Sequence, residues 1–233
     1  MAYSRRVPTA VVIGASTGIG LALCRRLVAA GWTVTGLARS PAGFESAAYR
    51  HVIADVRAPE YRQILATACE SLPDVCVYAT GIGHEIDLAN PSHEADVFAT
   101  NLLGVAITVE VLLPRMIAAK AGHLIGISSQ ADRVIDRHAP SYAASKAGMS
   151  SYLEGIALAC RQHGVAVTNV RFGFVDTAMA KSPVKPFLIS ADRAARVLEN
   201  CIARRPIRRT VPLRMAAVLW LFRWGSRLRI WAS

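Results

Sequence analysis

TAVVIGASTGIG, residues 9–20, is the stretch that decides the fold. An apolar run, TAVVIG, leads straight into a turn with glycines at 14, 18 and 20, and a helical pattern follows over residues 19–30. A strand that turns through glycines into a helix lets the backbone come close to a diphosphate, whose charge then meets unpaired N–H groups at the helix start. The spacing G-x-x-x-G-x-G differs from GxGxxG. Taken alone, the turn reads either as a phosphate cradle or as a tight left-handed connection that holds nothing.

The rest of the chain repeats the opening pattern. WTVTGLA follows the stop at Gly31, HVIA ends before Asp55, and helix-like residues 58–71 come next. VCVYAT leads through glycines to one long helix over 96–119, then HLIGISS, a helix over 141–162, VAVTNVRF and a helix over 192–203. Strands apolar on both faces that alternate with helices predict an α/β fold, a doubly wound parallel sheet flanked by helices on both faces. RRTVPL, over 208–213, reads as a last short strand with Pro212 at an edge. The organisation expected is a dinucleotide-binding and catalytic domain over 1–203 and a basic, apolar tail over 204–233 packed on the same domain.

Composition excludes several classes. Of 233 residues 53% are hydrophobic and only 18% charged, which argues against disorder and against a nucleic-acid-binding tail on a small core. The net charge of +11 is uneven: after Glu199 no acidic residue occurs, while Arg204, Arg205, Arg208, Arg209, Arg214, Arg223, Arg227 and Arg229 follow. That tail has three readings: a helix closing the core, a cover over an apolar substrate entrance, or a peripheral contact with an anionic membrane. No nucleic-acid motif accompanies the arginines. The five cysteines stand in no ligand-like spacing and read as reduced thiols of a cytoplasmic protein. The short apolar run near the start reads as a strand rather than a signal peptide. No cluster has metal-ligand spacing.

SYAASKAG, from Ser141, sets Tyr142 one helical turn before Lys146, so the two share a face. By itself the pair could be surface decoration. Seven pieces in order, GASTGIG (14–20), DV (55–56), YATG (78–81), Asn101, ISS (127–129), YAASK (142–146) and RFGFVDT (171–177), resemble those of the short-chain dehydrogenase/reductase family in its single-domain form.

The resemblance implies catalytic roles for Asn101, Ser129, Tyr142 and Lys146. It implies cofactor contacts from Gly14, Ser16, Thr17, Gly18, Ile19, Gly20, Arg39, Asp55, Val56, Ala79, Gly81, Tyr142, Lys146, Gly173, Val175 and Thr177. The chemistry has its own logic: hydride addition to a carbonyl leaves charge on oxygen, and a proton must arrive there. A phenol donates well at neutral pH, and an adjacent ammonium favours its return to phenolate. Arg39 at the end of the second strand, where an acidic residue would select NAD, points to NADP, with NAD the less favoured cofactor. YATG lacks the family's usual asparagine, which implies a less rigid loop. Gln130, Val134, Met179, Phe187 and Trp220 are candidate lining for a hydrophobic carbonyl or alcohol. A homodimer or homotetramer is implied through the long helices. The competing reading is a cofactor-binding regulatory or membrane-peripheral protein without turnover.

Overall fold

Side chains alternate across the strands, and the two apolar faces they create explain the architecture. The structure, a computed structural model, describes residues 6–180 and 184–216. Its first half runs β1 (Thr9–Ile13), α1 (Gly18–Ala29), β2 (Thr33–Ala38), β3 (Tyr49–Ile53), α2 (Tyr61–Ala68) and β4 (Val75–Tyr78). Helix α3 (Glu94–Phe98), a π-helical turn (Ala99–Leu103) and α4 (Gly104–Ala119) then run on without a break. The second half holds β5 (His123–Ser129), a 3-10 turn (Gln130–Arg133), α5 (Pro140–Ala159), β6 (Ala166–Phe172), β7 (Val175–Asp176), β8 (Ile189–Ser190), α6 (Ala191–Arg204) and β9 (Arg208–Val211).

Seven of these strands form one parallel sheet in the order β3-β2-β1-β4-β5-β6-β9. On one face Val11, Ile13, Cys76, Tyr78 and Leu124 pack with α2, α4 and α5. On the other, Ala10, Val12, Val75, Val77, Ile125 and Ile127 pack with α1 and α6. The sheet is doubly wound, as the two-faced strands predict. Strand β9 comes from the basic stretch and pairs with β6 at the edge, and Pro212 follows where no further strand needs its missing N–H.

Three local differences from the sequence reading bear on the site. The helix expected over 96–119 widens by a π turn around Asn101, a device that re-aims side chains in helices. The 3-10 turn after Ser129 and the small sheet of β7 and β8 were not expected. The helical run Glu94–Ala119 is long and apolar enough to cross a membrane, yet here Val97, Val105, Val109, Leu112 and Met116 are buried.

The turn at residues 14–20 depends on contact between main chains. Gly14 has φ +91, and a Cβ there would lie 2.6 Å from the Thr80 nitrogen. A Cβ on Gly20 would lie 2.1 Å from the Gly14 carbonyl oxygen. Neither neighbour can swing away, because both are backbone. Gly20→Ala should therefore lower stability by about 3 kcal/mol in urea unfolding; an unchanged midpoint would show that the turn tolerates a side chain.

Candidate active site

The winding of the sheet reverses between β1 and β4, and in open α/β sheets ligands bind at the carboxyl ends of strands at such a point. The loops after these strands meet there, with Ala79 N donating to the Ile13 carbonyl at 2.7 Å. Helix α1 begins at Gly18 with no side-chain cap from Thr17 and no acidic residue in its first turn. Its N–H groups are left for an anion. Thr177 faces this turn, its methyl 3.1 Å from where a Gly18 Cβ would be. The loop at 14–20 thus meets the loop after β6.

Lys146 occupies the middle of the cleft. It is only 4% exposed, and among the described residues no carboxylate forms an ion pair with it. Its ammonium donates to the Ile127 carbonyl at 2.9 Å and lies 3.9 Å from Met149 Sδ. An ammonium has three donors, and a single carbonyl leaves hydrogens for further acceptors. Burial pulls its pKa down to about 8. A Cβ on Gly81 would come 3.3 Å from Nζ, 3.2 Å from Asn101 Oδ1 and 3.7 Å from Met179 Cε, so these three groups and the β4 loop surround one point.

Asn101 serves first as a brace. Its Oδ1 accepts from Ile82 N at 2.9 Å, while Nδ2 donates to the Ile82 carbonyl at 2.9 Å and to Ser145 Oγ at 3.0 Å. The chain just after YATG is therefore tied to Asn101 from across the cleft, although YATG itself lacks an asparagine.

Tyr142 packs over Gly83, its ring 2.9 Å from where a Cβ would lie there. Burial raises the phenol's pKa, and a hydrogen bond with Ser129 opposes the rise. Ser129 Oγ also accepts from Ala131 N at 3.1 Å. Lys146 Nζ is 5.9 Å from the centre of the tyrosine ring. The sequence reading gave the lysine the lowering effect; in the structure the serine exerts it.

The remaining predicted residues are more dispersed. Arg39 is exposed beyond β2. Asp55 is gripped by Arg57 at 2.9 Å, and that guanidinium also reaches Asp96 at 2.9 Å. The Arg57 hydrogen bonds hold the Asp55 carboxyl below its usual range, and Arg39 adds a weaker pull. Val56 and Val175 are buried. Gly173 lies under the start of the tail: a Cβ there would be 2.5 Å from Met215 Sδ and 3.3 Å from Pro212. Gln130 is buried and donates to the Pro212 carbonyl at 3.0 Å, so it ties the tail down instead of lining an open pocket. Met179 is the lining candidate the geometry favours, and Phe187 is half exposed. Trp220, and residues 217–233 of the tail (204–233) for which a membrane contact is one expectation, lie outside the described residues. Among the described residues no cluster could hold a metal ion.

The family model for short chain dehydrogenases matches residues 8–186. The chain belongs to that family. It is 33% identical to an uncharacterized oxidoreductase of Myxococcus xanthus, over 91% of this chain and 92% of that one. It is 29% identical to the 3-oxoacyl-acyl-carrier-protein reductase FabG of Vibrio harveyi, over 84% of this chain and 82% of that one. Among solved structures, a short-chain dehydrogenase from Sphingobium yanoikuyae in complex with NADPH superposes with a TM-score of 0.81 at 18% identity, over 97% of this chain and 96% of that one. The protein is thus an NAD(P)-dependent oxidoreductase with a Ser/Tyr/Lys cluster in its cleft.

The buried lysine generates a signed prediction. Its folded pKa lies below the unfolded value, so below pH 8 the folded state bears the full cost of the charge. Lys146→Met should unfold with up to about 3 kcal/mol more stability at pH 7. That advantage should shrink from pH 8 to about 10.5, where the unfolded lysine also loses its proton. A gap that stays constant across that range would contradict the depressed pKa.

Proposed function

We propose that the protein interconverts a hydrophobic ketone and its alcohol with NADP as cofactor, Tyr142 exchanging the proton. The observation that carries this reading is the convergence of Tyr142, Ser129 and Lys146 on the β4 loop at the switch point of the sheet. The bound cofactor supplies the hydride. Ser129, whose hydroxyl lowers the Tyr142 pKa, holds the substrate oxygen against the phenol, so the proton has a short path. Lys146 offers its free N–H groups to the ribose, and Ser129 opposes the rise that burial imposes on the Tyr142 phenol. Asn101 keeps Ile82 and Gly81 beside that ammonium.

In this reading Gly14, Ser16, Thr17, Gly18, Ile19 and Gly20 cradle the diphosphate, and Gly173, Val175 and Thr177 border the nicotinamide. Asp55, Val56 and Ala79 border the adenosine half. Exposed Arg39 is the partner for a 2′-phosphate, since a planar guanidinium grips phosphate in two places. Similarity to a 3-oxoacyl reductase supports a carbonyl on an acyl-like substrate, and exposed Met179, Ile135 and Leu213 suit an apolar one. Exposed Phe98 and Leu103 on the long helix, with Leu158 on α5, suit pairing between two copies. The five free, buried thiols suit a reducing compartment.

A panel of 2-alkanones, aromatic ketones and 3-oxo esters, followed by loss of reduced-nicotinamide absorbance, identifies the substrate. With the best of these, Tyr142→Phe should cut kcat by roughly a hundredfold or more while NADPH affinity stays within about threefold. Activity within a few-fold of the parent would rule out the tyrosine. Arg39→Asp should shift the NADP/NAD preference toward NAD by at least about tenfold; an unchanged ratio would remove Arg39 from the cofactor site.

A further inference from the structure

An arginine near the end of β6 is sealed from water. Arg171 on β6 has a side chain only 2% exposed, and its partner Asp132, in the 3-10 turn three residues after Ser129, only 5%. The guanidinium grips the carboxylate with two nitrogens, Nε at 2.5 Å and Nη2. Nη1 donates to Thr210 Oγ1 on β9 at 3.3 Å.

The network continues toward the reacting groups. Ser150 Oγ, one turn beyond Lys146 on α5, donates to Asp132 Oδ2 at 2.6 Å. The carboxylate can only accept, which fixes that direction and leaves Ser150 to accept from Ser128 Oγ at 2.6 Å. Ser128 shares its one hydrogen with the Lys146 carbonyl at 3.1 Å. Ser128 immediately precedes Ser129 on β5, and Arg171 lies two residues before Gly173. The buried charges therefore join the carriers of Ser129, of Tyr142 and Lys146, and of the loop after β6.

Stability alone is a weak reason for such a pair, because apolar residues of equal volume do as well or better in most buried sites. Direction is what a bidentate pair adds: it fixes the separation and the rotation of the elements it joins. We propose that Asp132 and Arg171, acting through Ser150 and Ser128, are positioning residues that set Ser129 against Tyr142 and hold α5 in register with β5. The inference rests on the reading of Ser129, Tyr142 and Lys146 as the reacting groups.

The test separates geometry from folding. Asp132→Asn with Arg171→Met removes both charges at once and leaves no lone buried ion. Ser150→Ala cuts the link to Ser128 while keeping the ion pair, and Ser150→Thr restores the hydroxyl. With the ketone turned over fastest in the panel, the double variant should lose at least about tenfold in kcat. Ser150→Ala should lose about threefold and Ser150→Thr regain most of it. KM and NADPH affinity should stay near parental values throughout. Should the double variant fail to fold, the two Ser150 variants decide alone. Parental kcat in Ser150→Ala overturns the proposal, as does a loss that Ser150→Thr does not restore. If Tyr142→Phe is inactive while these variants keep full kcat, the positioning inference fails and the catalytic reading stands. If Tyr142→Phe is itself active, the catalytic reading fails first.

Discussion

A lysine ammonium buried beside a single carbonyl, with no ion-pair partner among the described residues, is the constraint around which this molecule is arranged. Lys146 gives up most of its hydration and in return donates one hydrogen bond to the Ile127 carbonyl. A cation in that position is costly, and its unused donors face the loop after β4, where glycine leaves room for a ligand. Such a site makes sense as one completed by hydroxyl and phosphate oxygens. The fold's contribution is to deliver the lysine there: α5 must lie close on β5, the β4 loop must be held still, and the turn after β1 must bring its N–H groups to the same cleft.

Each of those requirements has an identifiable cause. Gly14 lets the first loop touch the main chain of the β4 loop, and Gly20 lets α1 start against the Gly14 carbonyl. The π turn points Asn101 across the cleft, where one side chain makes both of its amide ends useful. Arg171 and Asp132 do on the other side what Asn101 does on this one, tying the turn after Ser129 to α5 and β6. The cleft is thus braced from two directions by buried polar groups, and apolar packing on the two faces of the sheet makes up most of the remaining core.

Much of this was legible in the sequence, and the limits follow from how each signal arises. Strands with apolar residues on both faces announce a covered parallel sheet, so the doubly wound fold could be read directly. The order of GASTGIG, Asn101, ISS and YAASK identified the residues that meet in the cleft. Asparagine inside a helical pattern signalled something unusual at 101, yet the π turn itself has no residue signature. Asp55 and Arg57 are two residues apart and meet through local geometry that spacing alone does not dictate. Gln130 looked like pocket lining because it follows Ser129, whereas its partner, the Pro212 carbonyl, comes from the far end of the chain. Arg171 did leave a trace, a charge amid VAVTNVRF, but finding its partner required knowing which elements lie beside β6.

A crystal structure with NADP+ bound tests the account most directly. The account predicts Lys146 Nζ within hydrogen-bonding distance of the nicotinamide ribose hydroxyls, the diphosphate against the start of α1, and the hydroxyls of Ser129 and Tyr142 together on the open side of the nicotinamide ring. A cofactor seated elsewhere, or one whose ribose leaves Lys146 bonded to Ile127 alone, would contradict it.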